Sequence, residues 1–317
     1  MSAFFVIFVS MNMEYDKLNG DVAFREFDHK YFNVKYLNRK YISVTTLIQR
    51  YYEPFDGEFW SRYKALEALM GPDFVTTGVK MDLLNKKEWN DAYLDTFDID
   101  YKVFYKKQQE ISTGYDQVRN VACERGTLYH GKQESRFYEK QKHRMEEYNF
   151  NLEHLAGEFS CVKHNFDLND EKTVLPEYLL YYSTSDGILN LAGQADVIVK
   201  DGNDIYVLDF KTNAKGIKSK AHFDKNKKKK QTMWYPDNNL DDHDMNHYTL
   251  QLSLYAWMLQ KINPEFNIKL LRIIHIDGND KQTLYDLPYL KDEVERMLKH
   301  YKKTLKIEHY RETGELI

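Results

Sequence analysis

The chain has 317 residues, room for two domains or one enlarged one at about 150 residues per domain. Its 45 basic and 49 acidic residues give a net charge of −4, which excludes a globally basic, histone-like nucleic-acid binder but not a local basic site. Two cysteines, Cys123 and Cys161, are too few for a disulfide scaffold, a four-cysteine zinc site or a four-cysteine iron–sulfur cluster, so a reducing, cytoplasmic location is expected.

The opening run Ser2–Val9 is apolar but far shorter than the about 18 residues of a membrane span. It lacks a basic flank and a cleavage site, and Met11 and Met13 follow at once. It reads as an added strand or a start-site artefact. Residues 24–37 read as a hairpin, with Asp28-His29-Lys30 as its turn. Ser43 is a helix N-cap for a run through Leu47, Ile48 and Tyr51. A second helix is expected from Glu58 to Met70, stopped at Gly71-Pro72. Residues 71–100 are mixed and acidic, and a long helical pattern occupies about 101–150. The first half is therefore mainly helical, expected to form an arch or wall over a sheet.

The character changes near residue 175. Residues 178–182, 188–191, 195–199 and 205–210 read as separate strands, the last two joined by the hairpin signal Asp201-Gly202-Asn203-Asp204. Residues 247–262 form an apolar helix, Leu270–Ile276 a strand, and 290–307 an amphipathic helix. The fold class is α/β, a mixed central sheet flanked by helices. The division expected is a hairpin-and-helix region over 1–120 and a core over 121–317.

Asp209-Phe210-Lys211 ends an apolar strand. Period-two alternation puts Asp209 and Lys211 on one face and Phe210 on the other. Counting back from the Asp201-Gly202 turn brings Asp196 opposite Asp209. Two close carboxylates repel unless something positive sits between them, and a hard divalent cation such as Mg2+ (or Mn2+) meets that need. Lys211 adds a positive element for a phosphodiester or an attacking water. The bland alternative is a surface hairpin with scattered charges. Gln251 and Tyr255 share one helix face at i and i+4, where a buried polar pair is the ordinary use. His130 and Glu134 share another face, and Glu177 offers a further carboxylate. Residues 211–230 carry nine lysines and one acid, and 231–250 carry four Asp and no Lys or Arg. This is a solvated loop or a grip on a nucleic-acid backbone.

In this order, Gly126–x–x–x–His130, Gly193–x–x–Asp196, Asp209-Phe210-Lys211-Thr212 and Gln251–x–x–x–Tyr255 resemble the motif set of the PD-(D/E)XK nuclease superfamily. The branch they are similar to is that of the RecB-type exonucleases, which includes the mitochondrial genome maintenance exonuclease and phage nucleases. His29-Lys30-Tyr31 and Ser43-Val44-Thr45 fit the same pattern, and the likeness covers roughly residues 24–300. The resemblance implies a restriction-endonuclease-like core. It implies a metal held by His130, Asp196, Asp209 and the Phe210 carbonyl, and a catalytic role for Asp196, Asp209, Lys211 and Glu177. Gln251, Tyr255 and Thr212 would contact nucleic acid, as would Lys227, Lys228, Lys229 and Lys230. It further implies a Mg2+-dependent deoxyribonuclease, an exonuclease on single-stranded or end-containing DNA in phage-type replication, recombination or repair. No iron–sulfur cluster and no membrane partner are expected. The rival readings are an inactive nuclease-fold DNA binder and a restriction-type endonuclease.

Overall fold

A computed structural model of the protein describes residues 15–37, 39–162, 170–224 and 229–316. The opening run lies outside them, as do Lys227 and Lys228. The chain divides into two compact units, Met1–Tyr52 with His130–Ile317, and Glu53–Tyr129.

The first unit opens with β1 (Lys17–Asn19), β2 (Val22–Arg25) and β3 (Lys30–Asn33), a three-stranded antiparallel sheet. β4 (Ile42–Ser43) leads into α1 (Val44–Gln49). Ser43 caps α1 as expected, its Oγ accepting from the Thr46 N–H at 3.0 Å. The second unit contains α2 (Gly57–Met70), α3 (Asp73–Thr76), α4 (Val79–Lys86) and α5 (Ala92–Thr96). Its core is Phe59, Tyr63, Leu66, Phe74, Leu83, Leu94 and Phe104, all buried.

The helix α6 (Tyr101–Tyr138) is shorter than the pattern suggested. Its last turn is closed by a side chain from beyond the helix. His143 Nε2 donates to the Phe137 carbonyl at 2.8 Å, and the Tyr148 hydroxyl donates to His143 Nδ1 at 2.6 Å. The freed carbonyl is thus satisfied without another helical turn. Phe137 stacks on Tyr148 with ring centroids 4.7 Å apart, drawing the chain back into β5 (Lys142–His143).

The main sheet continues with β6 (Phe159–Cys161), β7 (Lys172–Ser183), β8 (Asn190–Asp201) and β9 (Asp204–Lys211). Then come β10 (Phe223–Asp224), β11 (Lys229–Lys230), α7 (Asp244–Ile262), β12 (Asn267–Ile276), β13 (Gln282–Leu287) and α8 (Lys291–Thr313). The strand order is β13-β12-β9-β8-β7-β6-β5, with β4 added beside β8. β9 and β12 are parallel, and α7 lies in the crossover that a parallel pair requires. The sheet is mixed and helices flank it, as expected of a restriction-endonuclease-like α/β core. Ile205 and Val207 of β9 share a core with Leu250 and Leu254 of α7 and with Val44, Leu47 and Ile48 of α1. Phe210 is buried beside Phe150, ring centroids 5.9 Å apart.

Two expectations change. Residues 190–191 and 195–199 belong to one twelve-residue strand, with 188–189 just before it, and Gly193 marks a close approach inside it. β13 was missed, although Asp277-Gly278-Asn279-Asp280 before it is the same turn signal that located the β8–β9 hairpin.

Asp237 is fully buried, facing Arg296 with Oδ1 3.2 Å from Nη2. Burial pushes its carboxyl up to about 6, against the pull of Arg296 and with repulsion from Glu293 added. A folded-state pKa above the unfolded value of about 3.9 means that the folded protein holds the proton more tightly. Stability from this group is therefore complete at low pH and is lost as pH rises from about 4 through 6. Asp237→Asn is expected to flatten that fall, read as melting temperature against pH. Parallel profiles for the two proteins would refute it.

Candidate active site

The centre of the sheet forks. The β8–β9 ladder runs from Asp201↔Asp204 to Val197↔Leu208 and stops. One step further, Asp196 stands opposite Asp209, as the sequence count anticipated. There the Phe210 N–H donates to Asp196 Oδ2 at 2.6 Å. Beyond the fork β8 takes a different neighbour, β4, at Leu191 and Ala192.

On its other edge β8 pairs with β7 through Pro176↔Val197 and Tyr178↔Ala195, skipping the pair Glu177 and Asp196. Glu177 has φ +46°, a left-handed conformation rare for a residue of its kind. Leu175, Tyr178 and Leu180 nevertheless belong to one core, as do Leu191, Ala195 and Ile198. Side-chain alternation therefore slips by one residue in both strands at this level. Glu177, Asp196 and Asp209 consequently lie side by side on three neighbouring strands.

Positive groups converge on them. His130 Nδ1 lies 3.2 Å from Glu177 Oε1 and 3.5 Å from Asp196 Oδ2. Lys211 Nζ lies 2.5 Å from Asp209 Oδ2 and 4.7 Å above the centre of the Tyr248 ring. Gln251 Nε2 donates to Asp209 Oδ1 at 3.2 Å and to the Tyr255 hydroxyl at 3.3 Å. Burial, and next the charge of Asp209, pushes the Asp196 carboxyl well up. Burial would lower His130, but Asp196 and Glu177 outweigh it and raise it to about 9. Burial would likewise lower Lys211, and Asp209 and Asp196 raise it instead. His130 and Lys211 are thus drawn to a cluster of three carboxyl groups at one level of the sheet.

One atom each from His130, Glu177 and Asp196 lie within 4.8 Å of one another. An imidazole nitrogen and two carboxylate oxygens at that spacing fit a divalent cation of the Mg2+ or Mn2+ kind. Asp209 is not one of this group of three. Glu134 pairs with Lys17 at 3.2 Å. Gln251 and Tyr255 are buried, so what they touch here is Asp209 and each other. Thr212 follows the end of β9, half-buried. Lys229 enters the short β11, and Lys230 pairs with Asp241 at 2.8 Å.

Two residues at the site escaped the sequence reading. Lys17 donates to the Glu177 carbonyl at 3.2 Å and to Gln194 Oε1 at 3.4 Å. Nothing in the sequence points to it from 160 residues away. Tyr248 lies three residues before Gln251, and the spacing rule that paired Gln251 with Tyr255 extends to it.

A Cβ on Gly193 would lie 2.8 Å from Tyr255 Cε1 and 3.0 Å from Val44 Cγ2. Gly193→Ala should displace Tyr255, and through it Gln251, at a cost of about 1–3 kcal/mol. A drop in melting temperature checks this, and an unchanged one would sink it.

Comparison with known proteins bears on the whole of this region. The family model for the PD-(D/E)XK nuclease superfamily matches residues 102–315. No curated protein matches the chain. Among solved structures, the crystal structure of SSO0001 is similar at 17% identity and a TM-score of 0.25, covering 42% of this chain and 50% of that one. The chain spans about half of that structure's length, and a likeness so slight identifies nothing further. The family match contains every residue of the fork from His130 to Tyr255 and covers more than half of the sequence: the chain belongs to the PD-(D/E)XK nuclease superfamily.

Proposed function

We propose that the protein is a divalent-metal-dependent deoxyribonuclease of the RecB-like branch, an exonuclease acting on single-stranded DNA or free ends in phage-type replication, recombination or repair. The observation that carries this reading is the fork, which sets Glu177, Asp196 and Asp209 together with Lys211 beside them. A binder has no use for buried, mutually repelling carboxylates where a phosphate must approach.

His130, Glu177 and Asp196 would hold the cation, with Asp209 and the Phe210 carbonyl as the further ligands that the family resemblance implies. A bound divalent cation supplies charge against the phosphate and lowers the pKa of water. Lys211 keeps its ammonium at the mouth of β9, where it can donate to a phosphoryl oxygen or orient the attacking water. Gln251 fixes Asp209 by holding its Oδ1, leaving Oδ2 to Lys211. Tyr248 backs the ammonium through its ring face. The lysine segment would add phosphate contacts. Lys230 would do so in competition with its pair to Asp241.

The test is digestion of end-labelled single- and double-stranded oligonucleotides, and of linear against closed circular DNA, with Mg2+, Mn2+ or EDTA. Metal-dependent loss of linear DNA with circular DNA spared supports the exonuclease reading. Cleavage of circles supports the endonuclease instead, and no cleavage under any condition supports the inactive binder.

A further inference from the structure

A large concavity of the first unit is not lined by the carboxylates of the fork. It is a groove of about 1330 Å³ between the β2–β3 hairpin, the segment leading into β4, the turn before β8 and one side of α8. Its volume exceeds the roughly 300–1,000 Å³ of a small-ligand pocket, which favours a polymer over a free nucleotide. Five cations line it (Arg25, Lys30, Arg39, Lys40 and Arg50) against one acid, Asp186. Asp186 is already matched by Lys302 at 2.6 Å. Arg25 and Lys30 share Asp28, and Arg50 stands 3.9 Å from Glu308. The groove therefore keeps its excess positive charge in a chain that is net negative.

One of its aromatic side chains is exposed at the same place. Tyr36 is 58% exposed, and the Arg39 guanidinium lies 5.2 Å from its ring centre. An open ring under a guanidinium is a platform on which an unpaired base can stack, which a base inside a duplex cannot do. The groove is also joined to the fork. β4 lines it and pairs with β8 at Leu191 and Ala192, four to five residues before Asp196, or about 15 Å along the strand. Tyr31 lines the groove as well, and after burial it is the charge of Glu177 that raises its hydroxyl pKa.

We infer that this groove seats a single strand of nucleic acid, its bases stacking at Tyr36 and its phosphates held by Arg39 and Lys40, a few nucleotides from the carboxylates. The inference rests on the nuclease reading for what happens to the strand, but binding tests it separately. The probe is a fluorescein-labelled oligodeoxythymidylate, read by anisotropy in EDTA with the full-length protein. A matching RNA strand, a duplex and polyglutamate serve as competitors. Tyr36→Ala should weaken binding about five- to a hundredfold, the worth of one stacked base. Arg39→Ala with Lys40→Ala should lower the slope of log affinity against log salt by about 1.4, two phosphates at about 0.7 each. Duplex should compete poorly. All three residues lie outside the named strands and helices, and an unchanged melting curve checks that the variants keep the fold. Wild-type affinity in both variants, or displacement by polyglutamate as effective as by the unlabelled strand, would overturn the inference. If cleavage then persists, the nuclease reading stands without it. If the strand binds as described but no cleavage occurs with Mg2+ or Mn2+, the groove stands and the nuclease reading fails.

Discussion

Asp196→Asn is expected to abolish cleavage and to stabilise the protein at once. Asp196 sits between Glu177 and Asp209, buried, with its Oδ2 taking the Phe210 N–H. Asparagine keeps an oxygen for that hydrogen bond but cannot supply a charge for a cation. On the proposed mechanism the loss is several kcal/mol of charge stabilisation, about a thousandfold or more in rate. In EDTA the substitution removes the carboxyl that burial and the charge of Asp209 push well up, and with it the penalty of ionising it there. The melting temperature should then rise, at about 2–4 °C per kcal/mol relieved. Steady-state cleavage with Mg2+ and a thermal melt in EDTA read the two effects. A variant that is both active and no more stable would show that Asp196 is merely a tolerated buried acid.

Lys211→Ala should also lose activity, but with the opposite effect on stability. Its ammonium is the charge nearest the open end of β9, and losing one donor placed for a transition state costs about 10²–10³ in kcat. Affinity for an uncleaved strand should hardly change, which separates a loss of chemistry from a loss of binding. In EDTA the variant leaves Asp209, 1% exposed at its side chain, without the ammonium 2.5 Å away. Breaking one half of such a buried pair costs about 3–5 kcal/mol. The opposite signs of the two melting shifts form a joint signature that general damage to the site would not produce. Near wild-type cleavage by Lys211→Ala would remove the lysine from the mechanism.

Much of this arrangement was legible because it follows from periodicity and turn chemistry. The Asp201–Asp204 turn fixed the register, and the register alone brought Asp196 opposite Asp209. Helical spacing put Gln251 and Tyr255 on one face, and Gln251 donates both to Asp209 and to Tyr255. What escaped depends on long-range placement. Lys17 reaches the site through a separate small sheet. The conformation of Glu177 arises from slips in two strands that each look regular when read alone. The contacts that explain Gly193, Tyr255 and Val44, lie far off in sequence. All five cations of the groove lie within residues 25–50, but its opposite wall, from Asp186 to Asn190 with Tyr301 and Leu305, comes from more than a hundred residues away, so the concavity itself does not show in the sequence. Of the lysine run, conspicuous in sequence, Lys227 and Lys228 lie outside the described residues, and Lys230 pairs with Asp241.

The first unit is built from two stretches of chain, with the second unit interposed between them. The order of synthesis then matters. α1 emerges early with Val44, Leu47 and Ile48 at 0–3% exposure in the finished protein, yet their partners on β8 and α7 are made more than 140 residues later. Until then the α1 face is an apolar surface without cover, and the closing contacts must span a long loop. The residues of Glu53–Tyr129 have no such wait, since their own core is local. The ribosome thus delivers the inserted unit ready to fold while the nuclease sheet is still missing its last strands. The family-matched span, which begins at residue 102, omits the very helix that this sheet is waiting to bury.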